Sequence, residues 1–107
     1  MLDLSAFDAN NLDQVLTPCL AVSPRVIRSN YQAMIAIAGS ADRLRPHVKT
    51  HKCAQIVQIG AALGITKHKC ATLAEAEMLA KISNDVLIAY PLVGPNIVKL
   101  AGLSATY

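Results

Sequence analysis

Segments with strand character alternate with segments of helical periodicity, and this order constrains the fold more than any other feature of the sequence. The predicted strands cover residues 19–23, 43–51, 64–71 and 86–90, and the helices that follow them begin near residues 24, 53, 72 and 95. Strands that alternate with helices of this length pair in parallel through right-handed crossovers. The predicted class is therefore α/β. Four strand–helix units are half of an eight-stranded barrel, and a small open α/β sheet satisfies the same pattern.

Capping residues define two of these helices. Ser23 followed by Pro24 places a capping side chain before a proline at the first helical position, and Gly39 supplies a stop. This predicts a helix over 24–38. Thr72 and Glu75 have the spacing of a capping box, in which each side chain accepts from the other residue's backbone N–H. A third helix is predicted over about 53–63 and a last short one from Pro95 to about Ala101.

Composition limits the function classes. The chain has 107 residues, a net charge of +3, one Phe, three Tyr and no Trp, which offers little stacking surface to nucleic acids. Its apolar stretches are interrupted before the ~20 residues that a membrane span needs, and its acidic start is unlike a signal peptide. Cys19, Cys53 and Cys70 form no CxxC motif. We therefore predict no nucleic-acid partner, no membrane span, no metal site and a reducing, cytoplasmic location.

The apolar content bears on domain organisation. Residues 1–16 are predicted to be an irregular leader, and residues 17–107 to form one partial domain. The chain is 53% hydrophobic, which is high because small domains bury a smaller fraction of their surface than large ones. We therefore expect part of this apolar surface to meet further protein. The continuous apolar run VLIAY at 86–90 predicts a strand buried on both faces.

One predicted strand, residues 43–51, has an unusual alternation. Arg45, His47, Lys49 and His51 share one parity, while the other parity is mostly apolar. Successive side chains of a strand point to opposite faces, so one face carries a row of nitrogen-bearing side chains. A solvated cationic face is the simplest explanation. Clustered cations, however, lower the pKa of a lysine, and an uncharged lysine forms imines with aldehydes.

The segment RPHVKTHK at 45–52 resembles the lysine motif of the D-threonine aldolase and D-serine dehydratase group. These are fold-type III pyridoxal-phosphate (PLP) enzymes related to alanine racemase. Four neighbouring segments also agree with that group in order and spacing. These segments are Thr17-Pro18 with CLAVS, Lys69-Cys70-Ala71-Thr72, Glu75-Ala76-Glu77, and the stretch from Asp85 to Pro91. The resemblance covers roughly residues 15–103, and the RPHVKTHK octet is its specific part.

The resemblance implies that this chain is the N-terminal part of a (β/α)8, TIM-type PLP-binding barrel, incomplete here. It implies a PLP-dependent lyase acting on β-hydroxy D-amino acids such as D-threonine or D-serine. Lys49 would form the internal aldimine, and Arg45, His47 and His51 would contact the cofactor. A divalent metal, where the group has one, is held by ligands that lie outside this chain. We expect the full-length protein to be a homodimer, and these 107 residues alone to be inactive.

Several alternatives remain open on the sequence alone. An amino-acid racemase shares the fold but usually has an N-A-Y-G-type segment after its lysine, whereas Thr50-His51-Lys52 stands here. A non-catalytic PLP-binding protein of the same barrel, or a remnant that kept only Lys49, would belong to a different class. Lys52 could form the imine, although its parity differs from that of Lys49.

Several further residues near these motifs are expected to have ordinary surface or structural roles. Lys67 and Lys69 are expected to be ordinary surface or helix-contact lysines, and His68 to be structural. Cys70 is expected to be buried packing, and Tyr90 to serve the core or the carboxyl end of its strand.

Overall fold

A computed structural model describes residues 12–107, so most of the predicted leader, residues 1–11, lies outside the described part. The helices are α1 (Pro24–Ala38), α2 (Ala54–Ala61), α3 (Leu73–Ala80) and α4 (Pro95–Thr106), and the strands are β1 (Lys67–Cys70) and β2 (Asp85–Ile88). Short 3-10 turns occupy Leu12–Gln14 and Ala41–Arg43. The predicted mixture of helices and strands, and the α/β class, agree with this element order.

The two strands are parallel, as the alternation predicts. Lys67 lies opposite Asp85, and the register continues along the strands to Cys70 opposite Ile88. A third segment joins the other side of β1 through a single parallel bridge between His47 and Lys69. The strand-like segments therefore lie side by side in the order in which they occur in the chain.

Two predicted strands are not formed in the described part of the chain. Residues 19–23 pair with no neighbour there, and Leu20 is 74% exposed. A strand exists only through its pairing partner, and residues 12–107 supply none for this run. Of the predicted strand at 43–51 only the bridge at His47 remains. Pro46 has no N–H to donate, and the chain turns away immediately after Val48.

The core lies between the sheet and the helices that follow its strands. Val48 and Cys70 pack with Val57 of α2 and Leu79 of α3, and all four are fully buried. Burial of one such aliphatic side chain stabilises the fold by about 1.5–3 kcal/mol. The alternate positions of β1 and β2 are half-buried or exposed, so helices cover only one face of the sheet within residues 12–107.

The run VLIAY is not buried on both faces as predicted. The strand is Asp85–Ile88, and its residues alternate between exposed and half-buried, with Leu87 48% exposed. Only the side chains of Val86 and Ile88 pack on the core beneath the helices. The physical reason is that the second face of the sheet has no layer against it in the described residues.

Helix α1 packs on α2 through a close approach. Tyr31 of α1 is buried, and its ring lies so near Gly60 that a Cβ there would meet the ring at 3.0 Å. Helix α1 ends at Gly39, whose φ of +89° suits a glycine. Ser23 takes the N-cap position as predicted, although its side chain makes no capping bond.

Helix α4 extends to Thr106, further than the predicted end near Ala101. None of the helices within residues 12–107 has the length and apolar character required to cross a bilayer.

Candidate active site at the carboxyl ends of the strands

Lys49 lies where the first strand-like segment ends. The N–H of Val48 donates to the carbonyl of Lys69 (2.9 Å), and the N–H of Lys52 then donates back to the carbonyl of Val48 (2.8 Å). Residues 49–51 thus form a tight turn at the carboxyl end of the segment, and Lys49 is exposed in it. Ligands of parallel α/β sheets bind at the carboxyl ends of the strands. Lys49 therefore occupies the edge at which chemistry is expected.

Lys52 closes this turn in an unusual backbone conformation. Its φ is +48°, in the left-handed region, which costs a residue with a side chain about 1–2 kcal/mol. Its amino group compensates by pairing with the carboxylate of Glu75 in the first turn of α3. This contact, over 23 positions in sequence, ties the turn that follows Lys49 to the helix that follows β1.

Glu75 is a buried anion, only 4% exposed, with both carboxylate oxygens engaged. Oε1 accepts from Lys52, and Oε2 accepts from the N–H of Ala71 (2.8 Å) at the end of β1. Burial opposes ionisation, but these hydrogen bonds and the Lys52 charge outweigh it and hold the pKa of Glu75 below its ordinary value. The predicted capping box is present in part. The Glu75 N–H donates to Thr72 Oγ1 (3.2 Å), as in a capping box. The Glu75 carboxylate, however, accepts its hydrogen bond from the backbone N–H of Ala71.

The histidines on either side of Lys49 have defined orientations. His47 Nδ1 accepts the N–H of Lys49 (3.2 Å), and His51 Nδ1 accepts the N–H of Cys53 (3.1 Å). Because Nδ1 of each ring accepts a hydrogen bond, Nε2 is the ring nitrogen that carries a hydrogen. Burial lowers the pKa of His51, and the nearby Glu75 charge partly offsets this effect. His51 is therefore neutral near pH 7. Both rings also line a groove of about 210 Å³ against α1.

Arg45 lies at the opposite, amino end of the sheet. Its guanidinium forms a two-pronged ion pair with Asp85, at 2.7 and 2.5 Å, and a further hydrogen bond to the carbonyl of His68 (3.3 Å). Asp85 is the first residue of β2 and lies opposite Lys67, the first residue of β1. The hydrogen bonds from Arg45, together with its charge, hold the pKa of Asp85 below its ordinary value. These contacts give Arg45 a structural role, and its predicted contact with the cofactor stays a prediction.

His68 and Cys70 lie on the helix-facing side of β1, as their expected structural roles require. His68 is fully buried, its Nδ1 lies 3.0 Å from Ser83 Oγ, and its Nε2 has no hydrogen-bond partner among the described residues. Burial, and the charges of Arg45 and His51, lower its pKa. Burial also raises the pKa of the Cys70 thiol, which makes that thiol unreactive.

The other lysines near the sheet differ in their contacts. Lys67 Nζ donates to the carbonyl of Asp42 (3.0 Å), at the amino end of the sheet. Lys69 is half-buried beside His47, on the face that the helices do not cover, which agrees with the first of its two expected roles, a surface lysine, rather than with a helix contact. Tyr90 is 66% exposed and lies outside the core. It lines a groove of about 500 Å³ at the carboxyl ends of the strands, with Thr72 and Lys99.

Two ion pairs could not be found by reading the sequence. Lys52–Glu75 and Arg45–Asp85 join residues that are 23 and 40 positions apart, and local periodicity carries no signal for such distances. Only the prediction that the strands are parallel and adjacent could have indicated which ends meet.

The ion pairs near the turn distinguish the two candidate PLP-binding lysines, Lys49 and Lys52. A lysine attacks an aldehyde through its uncharged amino group, and a carboxylate partner disfavours that form. In residues 12–107 the side chain of Lys52 is paired with Glu75, whereas Lys49 has no carboxylate at ion-pair distance. This part of the chain also brings together no cluster of three or more His, Cys, Asp or Glu side chains that could hold a metal ion.

Comparison with known proteins supports the resemblance seen in RPHVKTHK. The chain is 37% identical over 98 residues to a protein named D-serine dehydratase from Dictyostelium discoideum, which covers 86% of this chain and 24% of that protein. It is 37% identical over 93 residues to a D-threonine aldolase from Arthrobacter sp., which covers 85% of this chain and 24% of the relative. The chain thus spans about a quarter of the length of these curated relatives.

No family model matches the chain, and no solved structure matches it. The similarity to the two curated relatives nevertheless extends far beyond one octet and includes most of the residues described above. It confirms what the lysine motif indicates: this chain is similar to the D-threonine aldolase and D-serine dehydratase group of enzymes.

Proposed function

We propose that this chain provides the PLP-binding lysine, Lys49, of a lyase that acts on β-hydroxy D-amino acids. One observation carries the proposal: Lys49 is an exposed lysine without a carboxylate partner in the described residues, in a turn at the carboxyl end of a strand-like segment. The names of the two relatives support the reaction class. A barrel completed by further chain, a homodimer and a cytoplasmic location all stay predictions.

The residues around Lys49 have separable tasks in this proposal. Lys49 Nζ would hold PLP covalently, and PLP when bound withdraws electrons from the substrate bond that is broken. His47 and His51 present Nε2–H, because Nδ1 of each ring is occupied by a backbone N–H. A neutral imidazole with its proton on Nε2 can donate a hydrogen bond to an anionic or carbonyl oxygen. These two histidines would therefore orient ligand oxygens near the lysine.

An aldolase reaction would break the substrate's Cα–Cβ bond and give glycine and an aldehyde; one relative is named D-threonine aldolase. Loss of the α-proton and the β-hydroxyl as water gives an enamine, and its hydrolysis gives a keto acid and ammonia, which is a dehydratase reaction; one relative is named D-serine dehydratase. Both outcomes require a β-hydroxyl on the substrate, and the names of both relatives specify the D configuration. The residues of this chain support both reactions equally, so the assay includes both substrates.

Covalent labelling followed by turnover tests the proposal. The full-length protein is incubated with PLP, reduced with borohydride, digested and mapped, and the label is expected on Lys49. A label on Lys52, Lys67 or Lys69 instead would contradict the assignment. D-threonine and D-serine are then supplied with their L-isomers as controls. Racemisation of alanine without release of an aldehyde or keto acid would identify a racemase.

A further inference from the structure

The carboxyl end of the sheet contains a buried acid that the proposed chemistry does not use. Glu75 is 4% exposed, lies on α3 and accepts hydrogen bonds from two separate segments. One is the N–H of Ala71, which follows β1, and the other is the side chain of Lys52, which closes the turn after Lys49. A buried carboxylate that joins two loops at the end of a sheet acts on their relative position.

Within residues 12–107, the turn is otherwise held by backbone hydrogen bonds inside its own segment and by the half-buried His51 ring beside α1. Its backbone is closed by the bond from Lys52 N–H to the Val48 carbonyl, and the N–H of Lys49 donates to His47 within the same segment. Lys49 itself is exposed. Lys52 has a left-handed φ of +48°, a conformation that persists when the surroundings impose it. The Lys52–Glu75 pair is the side-chain contact that links this turn to α3.

We infer that Glu75 is a positioning residue for Lys49. It acts through Lys52, by fixing the turn that presents the Lys49 amino group at the carboxyl end of the sheet. This inference rests on the proposed role of Lys49 in binding PLP. Lys52 is thus not a second imine lysine but the cation that couples the turn to α3. Its side chain is 59% exposed, while that of Glu75 is 4% exposed, so the anion is the fixed half of the pair.

The first test measures the turn without cofactor. Amide hydrogen exchange of the peptide covering residues 49–52 is compared in the full-length protein and in its Glu75→Gln and Lys52→Met variants. Glutamine retains an oxygen for the Ala71 N–H but loses the charge. We expect exchange at the Lys52 amide to accelerate at least fivefold in both variants, with unchanged exchange in α1. The matched control is Glu77→Gln, because Glu77 lies on the same helix in an exposed pair with Lys81.

The second test measures the consequence for Lys49. PLP affinity, and the rate at which reductive methylation modifies Lys49, are compared in the same variants and in the double variant. We expect a loss of PLP affinity of about fivefold to tenfold in each single variant, and no further loss in the double variant, because both act through one contact. Lys52→Arg is expected to restore most of the affinity, since it keeps the charge.

The two tests separate the two ideas. A wild-type protein that takes no PLP label at Lys49, but whose turn loosens in both variants, would refute the proposed function and leave the coupling of the turn to Glu75 intact. Unchanged exchange at residues 49–52 in Glu75→Gln and Lys52→Met would overturn the positioning role. The same conclusion would follow from additive losses in the double variant, because Glu75 would then act without Lys52.

Discussion

The two ends of the sheet use the same kind of contact for different purposes. At the amino end Arg45 pairs with Asp85, and the Asp85 side chain is 49% exposed. At the carboxyl end Lys52 pairs with Glu75, whose side chain is 4% exposed. Both pairs tie the first strand-like segment to a later part of the chain. The two pairs differ in how far solvent reaches the carboxylate. They therefore differ in how much stability the fold would lose if the pair were broken.

This difference indicates where the molecule depends on a defined geometry. An exposed ion pair is screened by water and salt and contributes little to stability. A buried carboxylate must keep its partners, because an unpaired buried charge is strongly unfavourable. The pair with the buried carboxylate lies beside the exposed Lys49, whereas the pair with the exposed carboxylate lies at the far edge of the sheet. The contact that most restricts the geometry of the sheet therefore lies at its carboxyl end, beside the candidate lysine Lys49.

The strongest test of this contrast replaces one lysine at each end. Lys49→Ala is expected to abolish covalent PLP attachment, while Lys67→Ala at the amino end leaves it within twofold of the wild-type level. Lys49 is exposed, so its replacement should change the free energy of unfolding by less than about 0.5 kcal/mol. Borohydride labelling with peptide mapping measures the first effect, and urea unfolding the second. Persistent labelling in Lys49→Ala would show that covalent PLP attachment does not depend on Lys49 at the carboxyl end.

A second substitution compares two glutamates of α3. Glu75→Ala removes the acceptor of the Lys52 and Ala71 hydrogen bonds, and we expect it to destabilise the protein by about 2–3 kcal/mol. Glu77→Ala removes an exposed pair with Lys81 and should cost about 0.5 kcal/mol or less. Urea unfolding of both variants in one buffer gives the comparison. Equal losses would show that burial does not distinguish the two carboxylates.

Acid titration extends the same comparison. The folded-state pKa of Glu75 lies below its ordinary value, so Glu75 stabilises the fold fully above the unfolded carboxyl pKa, about 4.3. That contribution is lost as the pH falls from there through the folded pKa. We therefore expect the melting temperature to drop below about pH 4.5 and to drop less steeply in Glu75→Gln. Identical acid profiles for the variant and the wild type would exclude Glu75 as a source of the dependence.

A smaller pH effect is expected from His68. Burial lowers its folded-state pKa, so the unfolded chain takes up a proton first as the pH falls through about 6.5. The contribution is fully favourable above that pH and declines below it. His68→Asn keeps a polar group near Ser83 Oγ and removes the titration. Calorimetry between pH 7.5 and 5.5 should show a shallower loss of stability in the variant, with the residual slope due in part to His51.

Several elements could be predicted from the sequence because their signals are local. Pro24 and Gly39 define the ends of α1, and Thr72 caps α3. The parallel pairing of β1 and β2 follows from the alternation of strands and helices. The prediction of a strand over residues 43–51 is wrong, because the alternation of polar and apolar residues does not reveal that the backbone turns after Val48.

The candidate site shows the same limit of sequence reasoning. Lys49 was found because its motif is contiguous, so its neighbours in sequence identify it. The Glu75 carboxylate, which pairs with Lys52 of the same turn, belongs to α3, the third element after that turn. Nothing in the sequence near either residue indicates their proximity, because it arises from the parallel register of the sheet. A lysine within a contiguous motif is thus easier to predict than a distant carboxylate that contacts the turn beside it.

The smallest expected effect concerns Arg45 and decides what the amino end of the sheet contributes. The guanidinium donates to the Asp85 carboxylate and to the carbonyl of His68, which are the first residue of β2 and the second residue of β1. If its role is structural, Arg45→Gln should lower the melting temperature slightly and change the affinity for PLP by less than twofold. Asp85→Asn removes the partner and should have the same effect on stability, with no additional loss in the double variant. PLP titration by absorbance, together with thermal unfolding of the three variants, measures both quantities. A loss of PLP affinity of tenfold or more in Arg45→Gln, without a matching loss in Asp85→Asn, would mean that Arg45 contacts the cofactor, and that the site extends across the whole length of the strand.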